Sequence, residues 1–372
     1  MRPTYLEVNL NQLKQNLQNI RARVAPAKVL VVLKANAYGH GVDGVAPFIA
    51  PFADYIGVAI VEEGINIRKM GIKTPILVMG GTLPEQIPDF LEFDLTLAAS
   101  SLSLLESAEQ ISAAAQKRIK AHLKIDTGME RIGARAQEAQ ALIERSLSCK
   151  HVEVEGIFTH FANSEVMSLR GVKQEFPISA ALQLERFEEA LSVYEKHSEP
   201  HPKLRHTANS GATLLMPESY YDMVRPGVMF YGVYPARDIE KTIEVKTALT
   251  WKSQVTYSKI VELGHGVSYG SLWSPETPSR IATIPCGYAD GYFRMMTNKA
   301  QVIINGKKYP QVGRICMDQF MVNAGADEVK AGDEAILLGK GITPEDLADW
   351  VGTNEYEIMT NISARVPRKF VK

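Results

Sequence analysis

Cysteine is scarce in this 372-residue chain: there are three. Cys149, Cys286 and Cys316 are odd in number and far apart, which excludes a disulfide framework and a clustered zinc site, and no metal site is expected. An excess of charge of one sign is also missing, with 41 Lys and Arg against 42 Asp and Glu and a net charge of -1. General electrostatic attraction to nucleic acid or anionic lipid is thereby excluded, and the expected partner is a small molecule. No apolar run approaches the ~20 residues that span a bilayer, and a basic-then-apolar leader is lacking, so no membrane association and a cytoplasmic location are expected. Internal repeats, low-complexity segments and long runs of like charge are absent as well. Length is not lacking, since 372 residues can bury a substantial core and form two unequal domains.

What is present begins with Val29-Leu30-Val31-Val32-Leu33, an apolar run typical of a strand buried on both faces. It leads into Lys34 and then a small-residue loop, Ala35-Asn36-Ala37-Tyr38-Gly39-His40-Gly41. Strands are also predicted at 56–61, 76–79, 94–98, 119–125, 152–159, 204–207 and 221–224, after a short one at 1–8. Leu10, Leu13, Leu17 and Ile20 fall on one helical stripe, and helices are predicted at 62–70, 100–116, 136–146 and 180–197. This alternation predicts an α/β fold, an N-terminal (β/α)8 TIM barrel over residues 1–235, with residues 1–8 open to pairing with the C-terminal domain.

The strand ends deliver Lys34, Gly80 and Gly81, Asp126, His160, Asn209 and Ser210, and Arg225-Pro226-Gly227. A lysine at one strand end is ordinarily a solvated surface group. Barrel active sites, however, lie at the carboxyl ends of the strands, and the common placement of these groups makes Lys34 a catalytic candidate. From residue 236 to 372 the texture changes to strands at 248–263, 280–285, 300–304 and 334–338 without intervening helices, a β-rich C-terminal domain. Asn305-Gly306 predicts a hairpin turn there, and Thr343 caps a helix over 343–350.

Five blocks make the chain resemble the alanine racemase family, pyridoxal-phosphate enzymes of the third fold type: 32–41, 124–133, 206–210, 224–227 with Tyr231-Gly232, and 315–319. The resemblance implies an isomerase that interconverts L- and D-alanine by a two-base mechanism, supplying D-alanine for peptidoglycan. It further implies a homodimer with each active site shared between subunits. Lys34 would hold pyridoxal 5'-phosphate as a Schiff base, for which the amine must be neutral. Tyr38, Asn209, Ser210 and the backbone N–H groups of Gly227 and Val228 would cradle the phosphate. Arg225 would face the pyridine nitrogen, and because a guanidinium keeps its proton, the ring would stay a weak electron sink that favours returning the proton to Cα. His160 and His206 would orient Arg225 and the second base. Tyr269, from the partner subunit, would be that base. Arg131 would bind the cofactor's phenolic oxygen and approach the substrate carboxylate, which the backbone N–H of Met317, also from the partner, would bind. Lys124 stands where many members carry a carbamate.

Two positions depart from the family pattern. Glu130 replaces a glycine, which bears on how the loop aims Arg131. Ala364 replaces a tyrosine beside the phosphate, which opens the alternative of a broader racemase that also acts on serine. Among other readings, a decarboxylase of similar architecture would place a carboxylate where Arg225 stands. A cofactor-carrying barrel would lack the domain that bears Tyr269, and a cofactor-free lysine aldolase would not need the phosphate-cradling block.

Overall fold

In the computed structural model, which describes residues 2–165 and 179–372, the first elements are strand β1 (Tyr5–Asn9) and a helix over Leu10–Val24. The predicted stripe of that helix is real: Leu10, Leu13, Leu17 and Ile20 are all buried. There follow β2 (Lys28–Val32), β3 (Tyr55–Val58), β4 (Ile76–Val78), β5 (Thr96–Ala99) and β6 (Ile119–Asp126). The two-residue β7 (Ala134–Arg135) precedes β8 (Val152–Phe158), β9 (Leu204–His206) and β10 (Met223–Val224). Eight of these form a parallel sheet in the order β10-β2-β3-β4-β5-β6-β8-β9, with β7 beside β6. The ring closes where the Asp222 N–H donates to the Arg205 carbonyl at 3.0 Å and the Arg225 N–H to the Ala208 carbonyl at 2.8 Å. Every residue of β3, β4 and β5 is buried, as expected of parallel strands covered on both faces.

The barrel strand predicted at 56–61 stops at Val58. The next helix, Val61–Lys69, begins early because the Glu63 carboxylate takes the N–H of Ala59 at 2.8 Å, an interaction a strand would forbid. The β-rich part comprises β11 (Leu249–Gln254), β12 (Tyr257–Val261), β13 (Ser279–Ile284), β14 (Gln301–Ile304), β15 (Lys307–Val312), β16 (Phe320–Gly325), β17 (Glu334–Leu338) and β18 (Arg368–Val371). Their order is β12-β13-β16-β15-β14-β17-β11-β1-β18. The single strand predicted at 248–263 is two, since Val255 donates to Asp333 and Thr256 to Thr283, so the chain changes neighbours between them. Asn305 and Gly306 both have positive φ, 49° and 81°, in the hairpin that joins β14 to β15. Buried Trp251, Tyr292 and Phe320 centre the core of this sheet, the last two stacked at 4.4 Å.

By contacts the described residues fall into two units. One holds the residues up to Gln12, Tyr38–Gly41 and Thr247–Lys372; the other holds the barrel, from Leu13 to Ala37 and from Val42 to Lys246.

Candidate active site

The barrel strand β2 ends in an unusual turn. Ala35, Asn36, Ala37 and Tyr38 take φ values of 51°, 55°, 54° and 49°, a left-handed turn made without glycine. Each L-residue in that region costs about 1–2 kcal/mol, so the surroundings must hold the turn in place. They do so through three hydrogen bonds: Ala37 N–H to the Leu33 carbonyl at 3.0 Å, Ala35 N–H to Glu63 Oε1 at 2.6 Å, and Val42 N–H to Asn36 Oδ1 at 2.8 Å. Behind the turn, the buried Tyr231 hydroxyl donates to the Val32 carbonyl at 2.7 Å. Lys34 thus stands on a rigid base. Burial, aided by the Arg131 cation and opposed by Glu63, lowers its amine below the ordinary lysine pKa.

The neighbouring strand ends add cations. Arg225 is 3% exposed, and its guanidinium donates to His206 Nδ1 and the His206 carbonyl, both at 2.8 Å, to the Thr159 carbonyl at 2.6 Å and to the Thr207 carbonyl at 3.1 Å. Burial pulls its pKa down to about 9. His160 Nδ1 lies 3.4 Å from the same guanidinium. Burial, then Arg225, Lys124, Arg131 and Lys34 push His160 well below the ordinary histidine value, so its ring is neutral. Lys124 is buried, and its amine makes no hydrogen bond among the described residues. It lies 4.7 Å over the Phe158 ring, and burial followed by Arg225 holds it well below the ordinary lysine pKa.

Arg131 leaves the barrel on a loop organised by Asp126. One carboxylate oxygen accepts the N–H groups of Gly128, Met129 and Glu130 at 2.9, 2.9 and 3.1 Å, and the other accepts that of Arg131 at 3.1 Å. Glu130 has φ 53°, the left-handed conformation that a glycine would adopt without strain, and its carboxylate pairs with Arg135 at 2.7 Å. Two short helices, Ser210–Leu215 and Gly227–Phe230, begin at the ends of β9 and β10. Their first-turn N–H groups have no acceptor within the helix and so suit an anion. Asn209 caps the first, accepting from Ala212 at 3.1 Å, and Ser164 donates to the same Asn209 oxygen at 2.7 Å.

Tyr38, Tyr269 and Met317 belong to the β-rich unit. Tyr38 is buried, and burial raises its phenol above the ordinary value, so it remains a donor. Tyr269 is 69% exposed and Met317 52% exposed, and both line a cleft of about 960 Å³. Tyr269 is presented between Ser268 and Gly270, with φ 65° and 73°. The Ser268 hydroxyl donates to the Arg314 carbonyl at 2.7 Å, tying this turn to the segment that leads to Met317. That segment is pinned from behind, where the N–H groups of Tyr288 and Ala289 donate to the Cys316 and Met317 carbonyls at 3.1 and 3.0 Å. A side chain at Gly287 would meet the Met317 carbonyl at 2.3 Å, so the approach requires glycine. Ala364 is exposed, next to Ser363, whose N–H donates to the Asp290 carbonyl at 3.0 Å.

Five of the residues named from the sequence, Lys34, Lys124, Arg131, His160 and Arg225, therefore form one electrostatically coupled group. Glu63, Phe158, His122 and Glu155 were not foreseen. Glu63 alone left a trace, as an acid in the first turn of a predicted helix.

Comparison with known proteins gives the family. The family profile "Alanine racemase, N-terminal domain" matches residues 8–235, and "Alanine racemase, C-terminal domain" matches residues 248–370. The chain belongs to the alanine racemase family. It is thus an isomerase. The alanine racemase of Carboxydothermus hydrogenoformans is 43% identical over 100% of both chains. That of Symbiobacterium thermophilum is 40% identical over 99% of this chain and 97% of its own. The solved alanine racemase of Clostridium difficile superposes with a TM-score of 0.92 at 35% identity, covering 100% of this chain and 96% of that one. Alanine racemase structures have been solved in complex with cycloserine, for Clostridium difficile, and with bound L-Ala-P, for Bacillus anthracis. These relatives carry the name alanine racemase, which does not favour the broader, serine-accepting alternative suggested by Ala364.

Proposed function

We propose that this alanine racemase interconverts L- and D-alanine with pyridoxal 5'-phosphate held at Lys34, and that it works as a homodimer in the cytoplasm, supplying D-alanine for peptidoglycan. The observation that carries this reading is the Lys34 amine, depressed below its ordinary pKa by burial and a neighbouring arginine at the end of a barrel strand. The donor set fits a phosphorylated aldehyde: a lysine poised to be neutral, two helix starts for an anion, and a guanidinium that can only donate. When bound, the cofactor would supply an electron-withdrawing ring that makes the alanine Cα–H acidic.

The protein's own residues then divide the work. Tyr38, Asn209 and Ser210 and the N–H groups of Gly227 and Val228 would hold the phosphate, and Arg225, steadied by His206 and with His160 beside it, would present its remaining Nε–H to the ring nitrogen. Arg131 and the Met317 N–H hold the substrate carboxylate. Lys34 takes or returns the Cα proton on one face, and Tyr269 of the partner subunit does so on the other. Lys124, its amine pushed well below the ordinary lysine pKa by burial and without a hydrogen-bond partner among the described residues, suits carbamate formation: the neutral nitrogen bonds to carbon dioxide, a proton leaves, and the resulting anion holds Arg131. Borohydride treatment of the yellow, cofactor-loaded protein is expected to fix cofactor mass on the peptide that contains Lys34, in preparations that convert L-alanine to D-alanine. Label on another lysine would refute the assignment.

A further inference from the structure

Behind Arg225 a line of polar groups runs through the barrel interior. His206 accepts from Arg225 at Nδ1, 2.8 Å away, and its Nε2 lies 2.8 Å from Nδ1 of His122. On the far side, His122 Nε2 is 3.5 Å from Glu155 Oε1, which also accepts from the Tyr55 hydroxyl at 2.5 Å. Both histidines are 0% exposed. Their rings cannot be oriented at will, because a guanidinium has only donors. His206 Nδ1 must therefore be bare, which puts its proton on Nε2, directed at His122. His122 Nδ1 must then also be bare, and its proton sits on Nε2, on the side of the Glu155 carboxylate 3.5 Å away, a separation that draws the proton electrostatically without a formed hydrogen bond. Neither ring has room for a second proton, and burial independently lowers both histidines below their ordinary values.

The barrel is built around this arrangement. A Cβ at Gly156 would meet His122 Nδ1 at 2.5 Å, so only glycine leaves space for the imidazole. The pairing of β6 with β8 shifts register between Ala121 and His122, at the same place. The Phe158 ring stacks on His206 at 4.8 Å and an interplanar angle of 6°, fixing the plane of the second ring.

We propose that Glu155 and His122 are positioning residues for Arg225: the carboxylate fixes the His122 proton, His122 fixes that of His206, and His206 is thereby kept an acceptor that holds the guanidinium in one orientation. The functional consequence rests on the reading that Arg225 faces the cofactor's ring nitrogen. The proton arrangement itself does not. An acid at the far end and a cation at the near end align every donor in the same direction, so the chain also favours the buried positive charge.

The test is histidine ¹⁵N NMR of the full chain, with and without pyridoxal phosphate. His122 and His206 are both expected as neutral Nε2–H tautomers. Glu155→Leu removes the carboxylate facing His122 Nε2 and should free the His122 ring to turn away from His206, which leaves its tautomer mixed. Glu155→Gln keeps an acceptor oxygen and should restore the pattern. In the loaded enzyme Glu155→Leu should shift the visible absorption band and lower kcat about tenfold with KM within about twofold, and Glu155→Gln should recover most of the loss. If Glu155→Leu does not fold, Gly156→Ala, which crowds the His122 ring, is expected to give the same tautomer mixing. A wild-type Nδ1–H tautomer at either ring, or unaltered tautomers and kcat in the folded variants, would overturn the inference. Correct tautomers combined with an absorption band untouched by Arg225→Lys would instead overturn the reading of Arg225.

Discussion

A lysine amine is nucleophilic only after it has lost its proton, and Lys34 shows how neighbours set the pH of that loss. Burial and the Arg131 cation favour the neutral form, while Glu63 favours the charged one. At a given pH the neutral fraction is thus larger than for a free lysine. Arg131→Met removes a lowering influence, so the midpoint for amine reactivity should rise toward the ordinary lysine value; Glu63→Gln should move it the other way. The pH dependence of the rate at which the cofactor-free chain takes up pyridoxal phosphate, followed by absorbance, checks the order Glu63→Gln, wild type, Arg131→Met. If the midpoint stays fixed in Arg131→Met, that residue does not set the field at Lys34. Lys34 was legible as a charge at the end of an apolar strand. Glu63 was not, because its contact with the Ala35 N–H exists only once the turn has closed.

At the scale of elements, the site depends on loops held by backbone hydrogen bonds. The clearest is the loop after β6, where four N–H groups converge on Asp126. Burial pushes this carboxyl up, but the N–H groups and Lys124 outweigh it and hold its pKa below the ordinary value. A carboxyl lowered on folding contributes stability that is fully present above its unfolded pKa and is lost as pH falls through the folded one. Asp126→Asn should therefore lower stability at neutral pH by about 1–3 kcal/mol and make the acid-side decline shallower. Thermal unfolding from neutral to acid pH reads both effects, and equal acid slopes in the two proteins would contradict the assignment. The left-handed turn after Lys34 is a second such element. The small residues there hinted at a loop, but nothing local predicts four consecutive positive φ values in residues other than glycine.

In the whole molecule, the barrel carries Lys34, Arg131, His160 and Arg225, and the β-rich unit carries Tyr269 and Met317. If each site of a homodimer takes Lys34 from one chain and Tyr269 from the other, a mixed dimer of Lys34→Ala and Tyr269→Phe chains contains one intact site and one doubly altered site. Random reassortment of equal amounts should then restore about a quarter of wild-type activity, since about half the dimers are mixed and half their sites intact. Assaying the variants before and after subunit exchange checks this. Exchange proven by mass with no recovered activity would place both residues in one chain's site.

By itself, the sequence determined the barrel, the β-rich region and the groups at the strand ends. Apolar periodicity and glycine-punctuated loops are local patterns that survive without tertiary context. Its blocks at 32–41, 124–133, 206–210, 224–227 and 315–319 also carried the family. Tertiary structure alone decided the rest. The break between β11 and β12 depends on partners at Asp333 and Thr283, far along the chain. Strand β1 pairs within the C-terminal sheet as the sequence allowed, but its choice of β11 and β18 and its register against them are set only across the sheet. His122 and Glu155 looked like ordinary strand residues, since a histidine's protonation and a guanidinium's orientation are set by atoms that meet only when β6, β8 and β9 lie side by side. Depressed amines, forced tautomers and oriented donors come from burial and proximity, and no linear pattern encodes either at single-residue precision.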